Sequence, residues 1–106
     1  MEYLHYLEKI GLKETLGSCY YQIGKALAEK QEITGSINYL KKALPLLEEF
    51  ENKNCLALTY FLLAKNEAAL NHREKARTSA NKALLYAGEL PKSEKEIEDF
   101  IIQINK

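Results

Sequence analysis

The chain has no tryptophan, and only two prolines, five glycines and two cysteines in 106 residues. Each shortage excludes something. With so few backbone breakers and no biased stretch, collagen-like, proline-rich and low-complexity architectures are ruled out, and long helices are favoured. Cys19 and Cys55 are too few and too far apart for a disulfide framework or a cysteine metal site. They read as reduced, half-buried small apolar residues. Net charge is also missing: 15 basic residues face 15 acidic ones. A chain without a positive field lacks the usual means of displacing counterions from nucleic acid. No apolar run approaches the roughly 20 residues that cross a bilayer. The opening Met-Glu-Tyr-Leu lacks the basic-then-apolar plan of a signal peptide. A cytoplasmic location is the default expectation.

Catalytic constellations are missing too. There is no glycine-rich phosphate loop, no His-Glu-x-x-His pair, no Gly-x-Ser-x-Gly elbow and no Cys/His cluster. His5 and His72 fall on different segments and read as surface or helix-end residues. The expectation is a protein that is not an enzyme and carries no cofactor and no metal.

What is present is an internal repeat. A shift of 40 residues, the separation of Tyr20 and Tyr60, brings Leu4 onto Leu44 and Leu84, and Leu7 onto Leu47 and Ala87. It also aligns Ile10 with Phe50 and Leu90, Leu16 with Leu56, and Tyr20 with Tyr60 and Phe100. Ile23 meets Leu63, Gly24 meets Ala64, Lys25 meets Lys65, and Ala43 meets Ala83. No gap is needed. A register of apolar and small residues this long marks a repeat architecture, in which each unit needs a neighbour to cover its apolar face.

Within each unit the period is helical. Leu16, Tyr20, Ile23 and Leu27 advance by threes and fours, as do Leu40, Ala43, Leu44, Leu47 and Phe50. Ala76, Ala80, Ala83, Leu84 and Ala87 repeat that pattern, and strand-like alternation is absent. Helices are expected at about 14–30, 35–51, 54–70 and 73–89, with a partial helix at 2–10 and a last one at 93–105. Thr34-Gly35 would open the second full helix. Asn71 would close the third, with His72-Arg73 turning the chain. Ser93-Glu94-Lys95-Glu96 has the form of a capping box, and Pro91 marks the break before it. Pro45 lies inside an apolar stripe, so a kink is expected there rather than an end.

These residues resemble the tetratricopeptide repeat (TPR). Tyr20, Ile23, Gly24 and Leu27 match the first helix of that motif, and Ser36, Leu40, Ala43 and Leu44 its second. Tyr60, Leu63 and Ala64, then Ala76, Ala80, Ala83 and Leu84, match the next repeat. Glu67 departs, standing where a tyrosine is usual. The 40-residue period is longer than the usual 34 and is similar to the longer units of kinesin light chain and bacterial peptide-sensing regulators. HEAT and armadillo repeats share this length, but the small-residue positions fit TPR better. The resemblance implies an all-α fold of antiparallel helix pairs stacked as an α-α superhelix. Two full repeats, at about 14–51 and 54–89, would be flanked by a partial helix at 1–10 and a capping or partial helix at 93–105, as part of a longer array. Glu94, Lys95, Glu98 and Asp99 give the last helix the polar face a cap needs.

The resemblance also implies a groove. In TPR arrays the first helices line the concave face, which places Ser18, Tyr21, Lys25 and Ala28 there, then Leu58, Phe61, Lys65 and Ala68, and then Glu98 and Ile101. Aromatic surface beside two lysines suits an extended or helical peptide with apolar and acidic side chains. Alternatively, Tyr21, Phe61 and Ile101 simply pack between repeats while the lysines are solvated. The carboxylate clamp for chaperone tails is not matched, because its first-helix positions carry Tyr21 and Lys25. The acidic run Glu48, Glu49 and Glu51 sits at a helix C-terminus, where the macrodipole disfavours it, and reads as a solvated end or a partner surface. The leading function is a protein-protein interaction scaffold. The alternatives are a regulatory sensor segment that responds to a small peptide, and self-association through solenoid ends. The expected partner is a protein or peptide, not nucleic acid or membrane.

Overall fold

The computed structural model describes residues 13–87 and 91–104. Among them are five helices and no strand: α1 (Lys13–Glu29), α2 (Ile33–Glu49), α3 (Lys53–Ala69), α4 (Arg73–Tyr86) and α5 (Pro91–Ile104). The all-α expectation holds. The expected helix at 2–10 lies outside the described residues. The chain forms two compact units, one ending at Asn52 and the other beginning at Lys53.

The 40-residue register reappears in the backbone. Helices α1 and α3 begin at Lys13 and Lys53, and α2 and α4 at Ile33 and Arg73. The turns recur at half that spacing. Gln31, Glu51 and Asn71 adopt positive φ, at 65°, 52° and 64°. One residue later, a backbone N–H reaches five residues back: Glu32 to the Leu27 carbonyl (2.9 Å), Asn52 to Leu47 (2.9 Å) and His72 to Glu67 (2.8 Å). Companion bonds run from Gln31 to Ala28, Glu51 to Glu48 and Asn71 to Ala68. Each is a Schellman ending, in which a left-handed residue satisfies carbonyls the helix would otherwise leave bare. Glycine normally occupies that position because a Cβ there is strained. Gln31→Gly and Glu51→Gly are therefore expected to stabilise the chain by about 0.5–1 kcal/mol each, after the entropy glycine adds to the unfolded chain. Asn71→Gly should gain less, since asparagine tolerates this conformation. Urea midpoints check the order, and a loss at Gln31 or Glu51 would contradict the turn assignment.

Some boundaries differ from the sequence reading. Helix α2 starts at Ile33, so Thr34 and Gly35 lie in its first turn, and its N-cap, Glu32, makes no capping bond. Helix α5 starts at Pro91, not Ser93. Proline is preorganised for the first helical position and has no N–H to lose there, so the break occurs before Pro91 rather than after it. Helix α2 continues through Pro45 to Glu49.

In the first unit, α1 and α2 run antiparallel. Close approaches fall near the turn and far from it. A Cβ added to Gly35 would lie 3.5 Å from Leu27, and one added to Gly17 would lie 3.2 Å from Leu47. Leu40, Ala43 and Leu47 are buried on the facing side of α2. Cys19, Tyr20, Ile23, Tyr39 and Leu46 pack against buried Leu16. The closest of these three glycine approaches is at Gly24, where a Cβ would meet Leu40 Cδ2 at 2.9 Å and the Ser36 carbonyl at 3.2 Å. Ser36 Oγ donates to the Gly24 carbonyl at 2.6 Å in this buried seam.

The second unit forms a corresponding hairpin with different residues at the close approaches. Gly24 and Leu40 correspond to Ala64 and Ala80, and Gly17 and Leu47 to Ala57 and Ala87. All four alanines are essentially inaccessible. A glycine opposite a leucine has become an alanine opposite an alanine, twice over. The second unit therefore has two fewer side-chain carbons at each pair, and close packing then requires neighbouring side chains or a closer helix approach to fill the space. Helix α5 packs on α4, buries Ile97, and sets Phe100 edge-on to Phe61 of α3 with ring centroids 5.6 Å apart. Lys42 lies over the Tyr20 ring and Lys82 over the Tyr60 ring, another pair 40 residues apart.

Candidate functional site

Helical spacing places Ser18, Tyr21, Lys25 and Ala28 on one face of α1, and Leu58, Phe61, Lys65 and Ala68 on one face of α3. Their exposure is uneven. On α1, Tyr21 is buried at 8% exposure, Ser18 and Ala28 are half-buried, and Lys25 is exposed. On α3, Phe61 is also buried at 8%, Leu58 is 39% exposed and Lys65 is exposed. On α5, Ile101 is half-buried and Glu98 is exposed. The two aromatic rings of the predicted row thus offer a ligand little surface.

The structure gives Phe61 two neighbours. Phe100 meets it edge-on at 81°, and Lys65 Nζ lies over its ring at 4.2 Å. A cation over an aromatic face gains about 0.5–1 kcal/mol at an exposed site. Lys65 is thereby held over Phe61 while it remains accessible.

One turn beyond Lys65, this face opens into a cleft of about 390 Å³, lined by Ala68, Asn71, Arg73, Phe100, Gln103 and Ile104. Its make-up is apolar side chains, two amides and one guanidinium, with no carboxylate among the lining residues. Ala68 was expected on this face. Asn71, Arg73, Phe100, Gln103 and Ile104 were not foreseen as site residues. The connection of Phe100 to Phe61 is tertiary, and no local signal announces it.

A second cleft, of about 310 Å³, is lined by Glu67, Glu74, Lys75, Thr78 and Ser79. Glu67 is 7% exposed and accepts a hydrogen bond from Ser79 Oγ at 2.6 Å on Oε1. This is the residue that breaks the TPR pattern, and that departure was the one available signal.

The remaining chemistry is sparse. Cys19 and Cys55 are free and half-buried. Burial raises the Cys19 thiol above its ordinary pKa, which disfavours the reactive thiolate. His72 is the N-cap residue of α4 and makes no side-chain capping bond. Among the described residues, no three His, Cys, Asp or Glu side chains are grouped to hold a metal ion, and no helix is long and apolar enough to cross a membrane. Comparison with protein-family models, curated proteins and solved structures found no match to the chain.

Proposed function

We propose that the chain is a protein-protein interaction module of TPR-like type, which holds a peptide along the α3 face and anchors it in the cleft of the second unit. The supporting observation is the composition of that cleft. Arg73 and apolar Phe100 and Ile104 line it without an opposing carboxylate, and Lys65 stands one turn away. Two cations beside apolar surface complement a segment that carries an acidic group next to a large apolar side chain. Asn71 and Gln103 add amide donors and acceptors that suit an extended backbone. Binding here is by shape and charge, with no turnover.

The reading has a direct test. A random-peptide display selection on the full chain should enrich sequences that pair Asp or Glu with Leu, Ile or Phe. Lys65→Ala with Arg73→Ala should weaken the winners by about tenfold or more, near 1.4 kcal/mol. Enrichment of basic peptides, or winners indifferent to both substitutions, would dispose of the proposal.

A further inference from the structure

The cleft around Glu67 is on a different part of the second unit's lining from the one just described, and it has the opposite chemistry. The first unit carries different residues at the corresponding positions. The residues corresponding to Glu67, Lys75 and Ser79 are Leu27, Gly35 and Tyr39. In the first unit Leu27 lies beside Gly35, with a Cβ on that glycine at ordinary contact distance, 3.5 Å. The hairpin therefore forms well with an apolar side chain at this position and does not require a carboxylate. At the corresponding positions the second unit has a polar recess of about 310 Å³.

The carboxylate in that recess is only half used. Ser79 Oγ holds Oε1 of Glu67 at 2.6 Å and is the sole partner of the carboxylate among the described residues. Glu67 lines the cleft, and no buried side-chain oxygen among the described residues is left without a hydrogen bond. Glu74 brings a second carboxylate to the lining. Thr78 Oγ1 donates to the Glu74 carbonyl at 3.0 Å and keeps lone pairs for accepting. Lys75 lines the same cleft but forms no ion pair with either carboxylate. The lining is thus net negative by one, with acceptor oxygens from Glu67, Glu74 and Thr78. A carboxylate that is more than nine-tenths buried is weakly screened and binds a cation more strongly than a surface one.

We propose that this cleft receives one cationic side chain of a partner protein, an arginine guanidinium or a lysine ammonium, which donates to Glu67 and to the acceptors around it. The site is independent of the peptide face proposed above, since it uses none of the same residues.

The test is a nuclear magnetic resonance titration of the full chain with Nα-acetyl-arginine amide, Nα-acetyl-lysine amide and the neutral Nα-acetyl-norleucine amide. Saturable shifts at the Thr78 and Ser79 amides are expected with at least one cationic probe and not with the neutral one. Glu67→Gln should weaken binding by about tenfold. Lys75→Ala, which removes a competing cation, should tighten it. Glu67→Leu with Ser79→Tyr copies the first unit's pair, so it should keep the helical spectrum and lose binding. Shifts that never saturate, equal shifts with the norleucine probe, or undiminished binding in Glu67→Gln or in the double variant would overturn the assignment.

Discussion

Leu40→Ala should cost about 2–5 kcal/mol, because it deletes a side chain with 0% exposure that packs against Gly24 in the first hairpin. Domains of this size are stable by only about 5–15 kcal/mol, so the variant should sit close to unfolding. Gly24→Ala should cost about 1–3 kcal/mol for the opposite reason, since its Cβ would lie 2.9 Å from Leu40 Cδ2. The informative case is the pair. Gly24→Ala with Leu40→Ala recreates the Ala64–Ala80 combination that the second unit already uses. Its total loss should fall short of the sum of the single losses by at least about 1 kcal/mol, a coupling expected only of side chains in contact. Part of the loss should remain, because the new methyl would still lie 3.2 Å from the Ser36 carbonyl, which is backbone and yields little. Urea unfolding of the four proteins, read at constant m, gives the coupling directly. Simple additivity would show that the two residues do not share that space.

The second large effect concerns Ser79. Replacing it with alanine removes the hydroxyl that donates to a carboxylate of 7% exposure. The expected loss is about 1–3 kcal/mol, because the acceptor stays buried while its donor is gone. Ser36→Ala removes an equally short bond, but from a backbone carbonyl within α1. That bond joins two neutral groups, so a smaller loss is expected, about 0.5–1.5 kcal/mol. The contrast between the two serines matters more than either value. Glu67→Leu combined with Ser79→Ala should recover most of the stability lost by Ser79→Ala alone. Thermal melts of these variants check the order, and equal losses at both serines would mean that the Glu67 charge carries no special penalty.

The helices were legible in the sequence because their period and spacing are carried by many residues at once. Displacing one apolar residue does not hide a register shared by Leu16 and Leu56, Tyr20 and Tyr60, and Ala43 and Ala83. The turns were less legible. Gln31 and Glu51 take left-handed φ although neither is a residue that invites it, so the 20-residue spacing of the turns shows only in the backbone. The backbone hydrogen bonds that close each helix outweigh the side-chain preference there. Ser93-Glu96 has a well-formed capping signature, yet the helix begins two residues earlier, where Pro91 is suited to its first position. The candidate site was legible in part. The α3 positions Leu58, Phe61, Lys65 and Ala68 follow from helical spacing. Burial of Phe61 against Phe100 does not, because it depends on where α5 comes to rest. Glu67 was visible as an anomaly, but its partner Ser79, twelve residues on, was not.

One helical hairpin is built twice in this chain, 40 residues apart, from unlike residues. Amide hydrogen exchange on the full chain tests this most directly. Protection should be strong at Leu40, Ala43 and Leu47 and again at Ala80, Ala83 and Ala87. It should extend to the turn amides of Glu32, Asn52 and His72, which the structure bonds back to Leu27, Leu47 and Glu67. Protection at one set with rapid exchange at its counterpart, or unprotected amides at all three turn positions, would contradict it.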